Sequence, residues 1–169
     1  MKDTLELLQD DFAPDPPPGY RLLPTGPGFN LLFGDVYGRL DGLRLVLGMR
    51  VSPRHLNPHD TCHGGVLSVF ADFMAYAVQH EAGEHHTLTP TVSTTIDFMS
   101  PAVLGDWIEA RCELLQHTRN LLFCQTVARV GERAVFRSSS IFKIGKRVSH
   151  VGSTLGDFFA AATEDGNPL

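Results

Sequence analysis

The residues of this chain best suited to chemistry lie in one stretch, Asn57-Pro-His-Asp-Thr-Cys-His63-Gly64-Gly65, and in one carboxylate, Asp72, eight residues past the first glycine. Two glycines at a helix start let the backbone come close to a ligand. The first N–H groups of a helix have no partner inside it, and they stand at the positive end of its dipole. Such donors bind anions; equally, they can hold the oxyanion that forms when a carbonyl is attacked. Taken alone, His63-Gly64-Gly65 is just as well a glycine-rich helix start. Asp72 adds a second group. It lies among Phe70, Ala71, Phe73 and Met74, and an ionised acid in an apolar segment is costly unless paired or hydrated. A general base or nucleophile occupies such a setting, and so does an Asp tied to backbone or serine hydroxyls at an interface. The two groups stand ~12 Å apart along one helix, too far for one subunit to bring both to one atom. A two-fold dimer that sets one helix beside its partner can do so. The spacing therefore predicts a site shared between subunits.

The elements that must position these groups follow from the patterns around them. LFGDVYGRL and LRLVLGMRV flank Asp41-Gly42, a hairpin signal. In the second run Leu43, Leu45, Leu47, Met49 and Val51 share one face, the period of a half-buried strand. A loop, 52–62, carries Pro53, Asn57, Pro58 and Asp60. Residues 64–80 contain no proline and are apolar on nearly every side, which predicts one buried helix about 25 Å long. Strands are predicted over 91–99, 106–115, 121–130 and 133–144, with turns at 117–120 and Gly131-Glu132. The order is two strands, a helix and four strands, joined mostly by short turns. This predicts an α+β fold, a curved, largely antiparallel sheet wrapped around one long central helix. The ends read differently: residues 1–27 as an arm with a short Leu5, Leu7, Leu8 helix stopped by APDPPPG, 28–145 as the body, and 146–169 as a tail with an apolar patch at Leu155, Phe158 and Phe159.

Composition excludes several classes. The chain has 169 residues, 43% of them apolar and 20% charged, and a formal charge of -5, values of a single globular domain. No dense basic stripe argues for nucleic acid. No run reaches the ~18 apolar residues of a membrane span, and MKDTLELLQDDFAPD does not read as a signal peptide. Three widely spaced cysteines, Cys62, Cys112 and Cys124, point to a reducing cytoplasm.

N-x5-H-G-G, an Asp eight residues beyond the first Gly, and a β-rich half containing F-M-S-P together resemble the hotdog-fold acyl-CoA thioesterases, with the PaaI-type (phenylacetic-acid-degradation-related) branch the most similar. The likeness runs over about residues 18 to 145. It implies a hotdog fold and hydrolysis of acyl-CoA by a homodimer or homotetramer. It also implies roles. Asp72 would be base or nucleophile, the Gly64 N–H would polarise the thioester carbonyl, and Asn57 would help hold water or substrate. His63 would order the loop, and Thr91 would hold the attacking water. One departure is visible: members often carry Gly where this chain has Asp60.

No cofactor or metal is expected, coenzyme A being part of the substrate. The four-residue spacing of His55, His59 and His63 imitates a metal face, but Pro58 and the glycines argue against a helix there. HEAGEHH (80–86) reads as solvated polar residues at a helix end. Substrate contacts are expected from Gly65, Phe73 and Tyr76, with Met74, Phe98 and Trp107 as further candidates for the acyl wall. Arg119, Lys146 and Arg147, ahead of Arg50, Arg54 and Lys143, are candidates for the coenzyme A phosphates. Two other readings stay open: an acyl-thioester hydratase or dehydratase, which needs a His facing the acyl chain, and a non-catalytic acyl-CoA-binding protein.

Overall fold

The computed structural model describes residues 15–26 and 28–147. Its elements in chain order are β1 (Arg21–Leu22), α1 (Phe29–Phe33), β2 (Tyr37–Asp41), β3 (Arg44–Arg50), a 3-10 turn (Pro53–His55), α2 (Gly64–Asp72), α3 (Met74–Ala82), β4 (Thr91–Phe98), β5 (Trp107–His117), β6 (Leu121–Val130) and β7 (Arg133–Lys143). The strands form one sheet in the order β1-β2-β3-β5-β6-β7-β4, and every neighbouring pair is antiparallel. β4 ends the sheet and pairs with β7 alone. This is the curved sheet around a central helix expected from the sequence, the hotdog architecture.

The predicted inward faces hold. Ile108, Ala110 and Cys112 of β5, Leu122, Cys124, Thr126 and Ala128 of β6, and Phe136 and Phe142 of β7 are buried, and they close on Leu67, Phe70, Ala71, Met74, Ala77 and Val78 of the helix. The rings of Phe70 and Phe136 meet edge to face at 6.4 Å, a favoured geometry for aromatic pairs. Burial pushes the Cys62 thiol up to about 12, since a thiolate is disfavoured away from water.

The structure corrects the expectations for the β2–β3 turn, for Leu43, for the outer face of β3 and for the helix. The β2–β3 turn is centred on Gly42 and Leu43, because Asp41 pairs with Arg44; Gly42 supplies the left-handed φ of +62° that the turn needs. Leu43, expected on the buried face, is the turn tip and 89% exposed. β3 is covered on both faces. Val46 and Gly48 are buried on its outer side, where the Trp107 indole lies so close that a Cβ at 48 would come within 2.1 Å of it. Trp107 thus belongs to an outer cluster with Tyr20, 4.9 Å between ring centroids. Of the stretch before residue 28, the described part packs on the body: Tyr20 and Leu23 are buried and β1 extends the sheet. The Leu5-Leu7-Leu8 and Leu155-Phe158-Phe159 patches lie outside the described residues. Finally, the helix runs in two pieces that meet at Phe73, whose φ of −61° and ψ of −11° keep the right-handed course. It is not apolar all round, for Gly65 and Asp72 are exposed and Ser68 and Val69 half-buried on one open face. Residues at i, i+3, i+4 and i+7 share a helix face, so this opening is a continuous strip. Among the described residues no helix is long and apolar enough to cross a membrane.

Candidate active site

The loop before the helix is tied by its own polar groups. Asn57 Oδ1 accepts from the N–H groups of His59 (2.9 Å) and Thr61 (3.3 Å), and its Nδ2 donates to Thr61 Oγ1 at 2.9 Å. The turn these bonds close puts Asp60 at φ +57°. Glycine adopts that conformation freely, and Asp tolerates it better than most residues. The Gly expected here from the resemblance is therefore replaced at a backbone position that favours glycine.

His63 caps the helix. Its Nδ1 accepts the Gly65 N–H at 2.8 Å, and its carbonyl accepts from Val66 and Leu67. An accepting Nδ1 leaves the ring proton of neutral His63 on Nε2. The cap occupies one of the two glycine donors. Among the described residues the other, the Gly64 N–H, has no acceptor, as expected of the first turn of a helix. A Cβ at Gly64 would lie 3.3 Å from Cζ of Phe98, so the edge of that ring stands beside the free donor.

Asp72 stands two turns further on, exposed on the open face. The burial expected for it is not supplied by the described residues. Thr91 Oγ1 donates to Asp72 Oδ1 at 2.5 Å. That contact depends on a bulge. Thr91 pairs with Phe142 and Ser93 with the next residue back, Ile141, so β4 carries one extra residue at Val92. Strict alternation would send Thr91 to the face opposite Thr94 and Ile96; the inserted residue shifts the phase and turns the hydroxyl toward the helix. A pocket of about 410 Å³ opens over this pair, lined by Phe29, Asn30, Ser68, Val69, Phe73, Thr94 and Ile96 with Asp72 and Thr91.

Asp72, Thr91 and Phe73 are thus together, whereas Gly64, Gly65, His63 and Asn57 lie at the other end of the helix and outside this pocket. Tyr76 stacks on Phe73 at 6.1 Å behind the pocket wall. Met74, fully buried, belongs to the core instead. Arg119, Lys146 and Arg147 are exposed and do not line the pocket. Their segments nevertheless converge on the run leading into Thr91: the Leu88 N–H donates to Lys146 O, Arg147 bridges to Thr87, Lys143 N–H donates to Pro90 O, and Ile144 N–H donates to Asn120 O. The backbone around Arg119, Lys146 and Arg147 thus lies close to the run leading into Thr91.

The histidine clusters have structural uses. Ser52 N–H donates to His55 Nδ1 at 3.0 Å, so His55 Nε2 carries the proton it gives to Phe33 O at 2.7 Å. His80 and His85 are half-buried, with ring centroids 5.2 Å apart, and burial holds both below the ordinary imidazole range. They are not the solvated residues expected. Ser68, Phe29, Asn30, Thr94 and Ile96 were not legible as site residues. Ser68 had a signal, one turn before Asp72 on the same face; Phe29 and Asn30 sit on a five-residue helix that no periodicity announces.

Comparison with known proteins agrees with the fold. Residues 59–137 match the family model of the thioesterase superfamily. A provisionally named esterase of Pseudomonas aeruginosa is 31% identical over 131 residues, 76% of this chain and 96% of its own. Among solved structures, a hypothetical thioesterase of Streptococcus pneumoniae determined with coenzyme A superposes with a TM-score of 0.59 at 19% identity, covering 69% of this chain and 94% of its own. The PaaI protein of the E. coli phenylacetic acid degradation operon does so with a TM-score of 0.58 at 21% identity, covering 67% and 81%.

Proposed function

The chain belongs to the thioesterase superfamily, and on that premise we propose that it hydrolyses acyl-CoA thioesters to the free acid and coenzyme A, as a PaaI-type enzyme, at a site shared between two copies of the chain. The observation that carries this reading is the separation of the two halves of the chemistry. Asp72 lies in the pocket with Thr91, and the unpartnered Gly64 N–H lies outside it, ~12 Å away along the helix. The open helix face and the free edge of β4 offer a second copy a surface on which a two-fold axis would set the Gly64 end of one helix by the Asp72 end of the other.

In this reading Asp72 of one copy takes a proton from water as the water oxygen bonds to the thioester carbon, or attacks that carbon itself. Thr91 fixes the carboxylate by donating to Oδ1. The Gly64 N–H of the other copy, at the positive end of its helix, receives the developing oxyanion. Collapse of the tetrahedral intermediate breaks the C–S bond, and the leaving thiolate takes up the proton Asp72 has accepted or one from solvent. Where Asp72 itself attacks, water then hydrolyses the acyl–Asp72 anhydride, which releases the free acid and restores the carboxylate. Arg119, Lys146 and Arg147, whose segments meet beside the run into Thr91, take the coenzyme A phosphates. Three buried cysteines with no disulfide suit a reducing cytoplasm. Hydration chemistry is disfavoured by His63, whose Nδ1 is held by the Gly65 N–H.

The test is thiol release from a panel of acyl-CoAs of differing length and aromaticity, on wild type and Asp72→Asn together. The expected result is turnover by the wild type and a loss of at least ~10²-fold in kcat in the variant. A near-normal kcat in Asp72→Asn overturns the assignment of Asp72. An enoyl absorbance change without thiol supports hydration, and tight binding without turnover supports a binding protein.

A further inference from the structure

Resting on the shared-site reading, we propose that two phenylalanines grip the acyl chain and set its length preference: Phe98 from the copy that supplies Gly64, and Phe29 from the copy that supplies Asp72. The two rings share an oddity. Each is large, apolar and more than half exposed, Phe98 at 54% and Phe29 at 62%. Each also stands beside one half of the chemistry. The Phe98 ring lies 3.3 Å from where a Gly64 Cβ would be. A carbonyl oxygen accepting the Gly64 N–H stands about 2.9 Å from that nitrogen, so the acyl carbons next to the carbonyl run along the ring. Glycine at 64 thus offers a free N–H and leaves no side chain between the oxyanion and Phe98. Phe29 borders the pocket that holds Asp72, with Phe73 as its wall.

Within one chain the Phe98 ring stands at the Gly64 end of the helix and Phe29 borders the pocket that holds Asp72. In a site that unites Gly64 of one copy with Asp72 of the other, they face each other across the chain of the substrate. The ligand class follows: acyl-CoAs with an extended apolar chain. Acetyl offers the grip one methyl group, whereas hexanoyl adds four methylenes, each worth up to about fourfold when buried.

The experiment uses mixed dimers, purified by two different tags, of an Asp72→Asn chain with a Gly64→Pro chain. One site then carries both lesions and the other neither. Activity restored above that of either homodimer is expected; no restoration overturns the shared site and this grip with it. Given restoration, the intact site draws Gly64 and Phe98 from the Asp72→Asn chain, and Asp72 and Phe29 from the Gly64→Pro chain. Phe98→Ala added to the Asp72→Asn chain should lower kcat/KM on hexanoyl-CoA by about tenfold, with a smaller loss on acetyl-CoA. The same change in the Gly64→Pro chain falls in the dead site and is the folding control. Phe29→Ala should show the reverse chain dependence. An equal loss from either chain, an equal loss on both substrates, or a wild type that does not prefer hexanoyl-CoA overturns the grip and leaves the shared site standing.

Discussion

Gly64→Pro isolates the oxyanion donor with little disturbance to the fold. Proline removes the Gly64 N–H, which has no acceptor among the described residues, so no hydrogen bond among them is lost. Position 64 is the first residue of α2, where proline's fixed φ suits a helix. His63 before it has φ −64° and ψ 135°, the extended conformation a residue preceding proline adopts. The remaining change is steric: the new Cβ meets the Phe98 ring at 3.3 Å, and a ring 54% exposed has room to swing away. Gly64→Ala adds the same Cβ and keeps the N–H, so it is the matched control. Removing one oxyanion donor costs ~10²–10³ in kcat, or about 2.7–4 kcal/mol. We therefore expect Gly64→Pro to fall 10²–10³-fold below Gly64→Ala in kcat. kcat/KM should fall by a similar factor, because the interaction forms only in the transition state. Steady-state thiol release at saturating acyl-CoA gives the rates, and thermal melting by circular dichroism shows whether both variants fold. If both melt alike and the proline variant turns over within about threefold of the alanine variant, the Gly64 N–H does not hold the oxyanion.

Other outcomes follow from the same geometry. Thr91→Ala removes the bond to Asp72 Oδ1 and leaves the carboxylate in place, so it should lower kcat less than Asp72→Asn; the opposite ranking in one assay refutes the supporting role of Thr91. Gly48→Ala drives a Cβ to 2.1 Å from the Trp107 ring and should destabilise by about 1–3 kcal/mol, read as a lower denaturation midpoint with kcat on folded protein little changed. Cys62, its thiol pushed up to about 12 by burial, remains protonated below that pH. It should therefore resist maleimide labelling of the native protein at pH 8 and react once the chain is unfolded; rapid native labelling of Cys62 contradicts this.

Much of this molecule was legible in the sequence because its signals are local. β6 runs over 121–130 as alternation predicts, and its inward residues are buried because a strand's side chains alternate faces. His63-Gly64-Gly65 reads as a helix start, and it is one, because first-turn donors need a cap and His63 supplies it. The hairpin of β2 and β3 was found, but its turn was misplaced by one residue, since pairing register depends on cross-strand contacts. α1 was missed altogether, five residues being too few to show a helical period.

The sequence by itself determined the order of elements, the inward faces, the helix with its glycine start, and the acid placed two turns beyond it. All of these follow from periodicity and residue type. Tertiary structure alone decided which groups meet. The bulge at Val92 turns Thr91 toward Asp72, an effect of strand register that no local pattern records. His63's ring takes the Gly65 N–H and leaves Gly64's free, a choice made by one rotamer. The face of Asp72, read as buried from its apolar neighbours, is open in the single chain. Burial is a property of what packs against a helix, and among the described residues β4 and α1 border that strip as the walls of an open pocket without covering it.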